Sequence, residues 1–63
     1  MKLKIQIEMN NAAFADCGNG PEAARILHQL AEDIDVCDRL GAGDSLGLMD
    51  INGNRVGEAK VTR

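Results

Sequence analysis

Asp50-Ile51-Asn52-Gly53-Asn54-Arg55-Val56-Gly57 reads as the turn and returning strand of a β-hairpin. Asp at the first position and Gly at the fourth suit a type I turn. Asn52 tolerates the third position, and Gly53 can take the positive φ needed to rejoin a strand. Apolar residues flank the turn on both sides, which places strands at about residues 45–51 and 54–62. Leu46 and Leu48 share a parity, but Val56 and Val61 do not. A bulge near Gly57 repairs that mismatch.

Upstream of the hairpin, Lys2-Leu3-Lys4-Ile5-Gln6-Ile7-Glu8-Met9 alternates without a slip. Leu3, Ile5, Ile7 and Met9 fall on one face, with Lys2, Lys4, Gln6 and Glu8 on the other, so the spacing predicts a half-buried strand. Residues 10–20 form a connection with room for a short helical turn at 11–15. Phe14, the only aromatic residue, is expected to plug the end of the core there. Pro21, preceded by Gly18-Asn19-Gly20 and followed by Glu22, marks a helix start at a first helical position. Ala23, Ile26, Leu27, Leu30, Ile34 and Cys37 then recur at helical spacing on one stripe, and Leu40-Gly41 with Gly43 marks the end.

The expected fold is therefore α+β, in the order β-α-β-β. A right-handed strand–helix–strand crossover leaves the first two strands parallel. Placing the third between them makes every neighbouring pair antiparallel. The predicted sheet is three-stranded and antiparallel with order 1-3-2, covered on one face by a single helix.

Sixty-three residues, 44% hydrophobic and 27% charged, describe one globular domain spanning residues 1–63. A domain this small buries a limited core, which makes self-association a natural expectation. No apolar run approaches the roughly 18 residues of a membrane span, and no charged-then-apolar leader stands before a small-residue cleavage site. The expected location is the cytoplasm, with no membrane partner. Cys17 and Cys37 agree with it. About sixteen helical residues between them span roughly 24 Å, too far for a disulfide, and unpaired thiols suit a reducing compartment.

Three patterns touch on chemistry, and each fails on its own terms. Asp50-x-Asn52-x-Asn54 copies the opening of a calcium-binding EF-hand loop. That loop needs Gly at its sixth position and a bidentate Glu at its twelfth, where this chain has Arg55 and Val61. Gly18-x-Gly20-x-x-Ala23 opens a helix like a dinucleotide fingerprint, but its glycines trail the strand and Glu22 puts negative charge where phosphate belongs. His28, the sole histidine, lacks partners at zinc-like spacing and reads as a boundary or solvated imidazole. The expectation is a non-enzymatic protein with no cofactor and no bound metal.

Charge placement carries some functional content. Glu22, Glu32, Asp33, Asp35 and Asp38 belong to the helix, whereas Lys2, Lys4, Arg55, Lys60 and Arg63 belong to the strands. An acidic helical side and a more basic sheet side follow. A solubilising shell is the plain reading. The sharper one is a docking face of Lys2, Lys4, Gln6, Arg55 and Lys60, or an edge strand, that takes a second copy or another protein. Nucleic acid competes for the same face. A net charge of −3 and a sheet without aromatics argue against it.

Asn11-Ala12-Ala13-Phe14, the helix carrying Ala24-Arg25-Ile26-Leu27 and Leu30-Ala31, and the closing Asp50-Ile51-Asn52-Gly53-Asn54-Arg55-Val56-Gly57 resemble a group of very short bacterial and phage-borne proteins of uncharacterised function. The resemblance covers most of the chain. It implies a cytoplasmic accessory protein of a phage or other mobile element and supplies no catalytic residues.

Overall fold

Strand β1 (Lys2–Ile7), the short helix α1 (Ala12–Cys17), the long helix α2 (Asn19–Cys37), β2 (Ser45–Met49) and β3 (Arg55–Thr62) follow one another in a computed structural model covering residues 1–63. The sheet order is β1-β3-β2, with β3 antiparallel to both neighbours. Leu3 stands opposite Val61, Ile5 opposite Ala59 and Ile7 opposite Gly57, and Leu46 also faces Ala59. Directly paired residues share a sheet face, so these side chains line one apolar side of the sheet, the side on which α2 packs.

The hairpin closes as its sequence requires. The Gly53 N–H donates to the Asp50 carbonyl at 3.0 Å and the Asp50 N–H to the Asn54 carbonyl at 2.9 Å, with Gly53 at φ 85°. This is a type I turn followed by a left-handed glycine. The register then shifts between Leu48 and Met49, because Leu48 faces Gly57 while Met49 faces Arg55. Val56 is the extra residue, and the bulge turns it inward to join Ala59 and Val61 among the buried side chains. Gly57 beside it is sterically obligatory. A Cβ there would overlap the Gln6 carbonyl oxygen and lie 2.9 Å from the Gln6 carbonyl carbon. The β1 backbone thus approaches β3 through a gap that only glycine leaves.

Phe14, Ile26, Leu30, Leu48, Val56 and Ala59 form the core, with Ile7, Ala23, Ile34 and Leu46 packed around it. The short turn expected at residues 11–15 is a full helix, α1, whose Phe14 plugs the core as expected. Helix α2 begins two residues earlier than its proline suggested, which puts Pro21 third in the helix. Its missing N–H still falls among the first-turn donors that have no helical partner. The helix also stops sooner than Leu40-Gly41. Asp38, at φ 68° and ψ −46°, reverses the chain after Cys37 in a γ-turn closed by the Arg39 N–H on the Cys37 carbonyl at 2.7 Å, where Gly41 was expected to end the helix.

The largest departure concerns β1. Leu3 and Ile5, expected on the covered face of the strand, are each left 44% exposed. Helix α2 packs toward β2, where Arg25, Gln29 and Asp33 lie beside Gly47, Leu48, Met49 and Asp50. At about 100° per residue, Leu27 falls on the opposite flank of the stripe from that trio. It is 43% exposed as well.

Phe14→Ala should cost about 3–5 kcal/mol, enough in so small a domain to abolish the cooperative thermal transition seen by circular dichroism. Gly57→Ala should cost about 1–3 kcal/mol through the clash with β1. Gly20→Ala is the internal control. It lies in the first turn of α2 with nothing within 4 Å of a new Cβ, and it should leave the melting temperature unchanged or raise it. Equal losses from both glycine substitutions would disprove the close-approach argument.

Candidate interaction surface

A buried polar clasp decides where the helix sits. Glu22 is only 2% exposed although it stands in the first turn of α2. The Arg25 Nε donates to its Oε1 at 2.7 Å, and the Ile51 backbone N–H donates to its Oε2 at 2.8 Å. Arg25 reaches on to the Met49 carbonyl at 3.0 Å. Glu22 was expected among the surface acids of the helix. It instead ties that helix to the hairpin turn. The sequence signal for this was an i, i+3 Glu–Arg pair, which reads equally well as an exposed helix pair.

Asp50, 4% exposed, is the second half of the clasp. Its carboxylate accepts from the Asn52 N–H at 2.9 Å and the Asn54 N–H at 2.8 Å. It also accepts from the Asn54 side chain at 3.3 Å and the Asn11 side chain at 2.6 Å. The resemblance to a calcium loop is thereby explained. Asp50 turns inward to gather amide donors, and Asn52 and Asn54 serve the turn through their backbone N–H groups.

Both carboxyls are held below their ordinary values. For Glu22 the Arg25 hydrogen bond dominates, opposed by burial and aided by the Ile51 N–H. The same bond holds Arg25 above its ordinary value. For Asp50, burial pushes upward, but the amides of Asn54, Asn11 and Asn52 together outweigh it. A depressed folded-state value stabilises the fold above the unfolded value and loses that contribution as pH falls through the folded one.

The outer face of the sheet carries the residues singled out from the sequence. Lys4 stands directly opposite Lys60, Lys2 opposite Thr62 and Gln6 opposite Glu58. Arg55 does not join the lysines. Its guanidinium lies 3.5 Å from Glu58 and spans Gly47, where a Cβ would sit 3.7 Å from Arg55 Cζ. The face therefore divides into a cationic end at Lys2, Lys4 and Lys60 and a charge-balanced end at Gln6, Arg55 and Glu58. Cys17 and Cys37 are free and exposed, and His28 is exposed. No helix is long and apolar enough to cross a membrane.

The inner side of β1 is different in kind. Leu3 and Ile5 present apolar surface on a strand whose far edge pairs with nothing. The Glu8 N–H donates to the Val56 carbonyl at 2.7 Å, so the even-numbered residues of β1 aim their backbone groups at β3. By alternation, Leu3, Ile5 and Ile7 aim theirs outward. The sequence marked these residues as core. It could not show that the helix would leave Leu3 and Ile5 half bare.

No protein-family model, curated protein or solved structure matches this chain.

Thermal stability should be flat from neutral pH to about pH 5 and fall below the ordinary carboxyl values of 4.5 for Glu22 and 3.8 for Asp50. Glu22→Gln should lower the melting temperature at pH 7, with the gap to wild type narrowing as pH falls below 4.5. A gap that persists unchanged at low pH would show that the Glu22 charge does not stabilise the fold.

Proposed function

We propose that the protein is a small interaction module, an accessory protein of a phage or mobile element, which acts by docking through β1 in the cytoplasm. One observation carries this reading. β1 joins an unpaired edge to apolar side chains that α2 leaves half exposed. A free edge supplies backbone donors and acceptors for an added strand, and Leu3 and Ile5 supply apolar area beside it. The likeness of the Asn11-Ala12-Ala13-Phe14 and hairpin motifs to short phage-borne proteins supports the accessory role.

A second reading has its own observation. Lys4 and Lys60 are forced into direct opposition, with Lys2 nearby, and that local concentration of charge suits phosphate. Against it stand the net charge of −3, the Arg55–Glu58 pair and the absence of any aromatic side chain on the sheet for bases to stack on.

A photo-crosslinking residue at position 5 should give discrete adducts in extract, to a copy of the chain or to another protein, while one at position 28 gives none. Equal labelling from both positions, or none from position 5, would count against docking through β1. Mobility shifts with single-stranded nucleic acid address the alternative. Binding that is present at low salt and lost at moderate salt would favour the lysine face.

A further inference from the structure

The interaction reading leaves the occupant of the β1 edge open, and this inference rests on that reading. We propose that the occupant is β1 of a second copy, paired antiparallel about a two-fold axis through Ile5, so that two three-stranded sheets become one of six strands.

The register follows from the residues. A two-fold axis perpendicular to the sheet keeps each face on its own side, so odd-numbered residues must meet odd-numbered ones. Centring on Ile5 sets Ile5 opposite Ile5 and Leu3 opposite Ile7 of the other copy. These are the residues whose backbone groups point outward, so each pairing exchanges N–H and C=O across the seam. The even-numbered residues then fall in the intervening pairs, where side chains come closer. Lys2 meets Glu8 of the second copy, and Lys4 meets Gln6, each twice by symmetry. Every lysine of the strand faces an acceptor.

Neighbouring registers fit less well. Centring on Lys4 opposes Lys4 to its own copy. Centring on Gln6 gives Lys4 a Glu8 partner, but it sets Leu3 and Lys2 against Met9 and Asn10, two and three residues beyond Ile7, the last residue of β1. A slip of one residue sets apolar side chains against charged ones. On the helix side, Leu3, Ile5 and Ile7 of both copies form one apolar seam between the two α2 helices, the surface a single helix fails to cover. β2 is less suited to this role. It has five residues, carries Gly47 at its centre and ends in the bulge, where Arg25 occupies the Met49 carbonyl.

Sedimentation equilibrium of the full chain over a concentration series should show a transition from 6.7 kDa to twice that mass. Lys2→Glu sets like charges against Glu8 at two symmetric places and should weaken association roughly tenfold. Adding Glu8→Lys should restore it. Ile5→Pro removes an outward N–H that β1–β3 pairing does not use, and it should abolish the dimer while circular dichroism retains the monomer fold. A monomer at every concentration overturns the proposal. So does a dimer indifferent to Lys2→Glu and Ile5→Pro, or one that Glu8→Lys fails to restore. Crosslinking from position 5 separates the two levels. A monomer with adducts to a different protein sinks the self-pairing alone, whereas a monomer with no adducts sinks the docking surface too.

Discussion

Two segments distant in sequence meet at the carboxylate of Asp50. It receives the Asn52 and Asn54 amides that shape the turn and the Asn11 side chain that leads into α1. Glu22, buried beside it, receives the Ile51 N–H from the same turn and the guanidinium of Arg25. Burial of either acid alone would be unfavourable, because a desolvated carboxylate without donors costs more than its packing returns. Here every oxygen has a donor, and the donors come from the parts of the chain that must meet. The clasp therefore acts as a register device. An apolar cluster in its place could pack in several ways, but the donor geometry admits one.

The position of α2 follows from this anchoring. Arg25 holds the Met49 carbonyl and Glu22 holds the Ile51 amide, so the helix is fastened at the β2 end of the sheet. One helix about 10 Å wide cannot cover three strands spaced about 4.8 Å apart when it is seated toward one side. The uncovered strand is β1, which retains an apolar face because the alternation of Leu3, Ile5 and Ile7 was never interrupted. The bare edge and the clasp are thus two consequences of one placement.

Much of the fold was legible because its signals are local. The alternation of β1, the turn word at Asp50 and the parity mismatch between Val56 and Val61 each depend on a few neighbouring residues. Together they predicted three strands and a bulge beside Gly57, while the order 1-3-2 followed from the handedness of the crossover. What could not be read depends on distant geometry. Glu22 looks like any first-turn acid until the hairpin brings the Ile51 amide to it across 29 positions. Leu3 and Ile5 have a core pattern, and only the lateral seating of α2 leaves them exposed. Arg55 counted as a basic-face residue by composition, but the turn places it within reach of Glu58. The helix end was misplaced because Asp38 adopts a positive-φ γ-turn conformation that residue type alone would assign to glycine.

The lysines of β1 invite opposite interpretations, which the proposed register would reconcile. Charged residues on an edge strand usually block indiscriminate pairing, and Lys2 and Lys4 would do so against any partner that brought its own cations alongside. They are not distributed as blockers on both halves of the strand, however. The first half carries Lys2 and Lys4, and the second carries Gln6 and Glu8. A strand polarised in this way repels a copy aligned in parallel and accepts one that is reversed. In the proposed pairing, the same charges that oppose random aggregation would select one antiparallel alignment. Edge protection and edge recognition would then be a single property of the pattern running from Lys2 to Glu8.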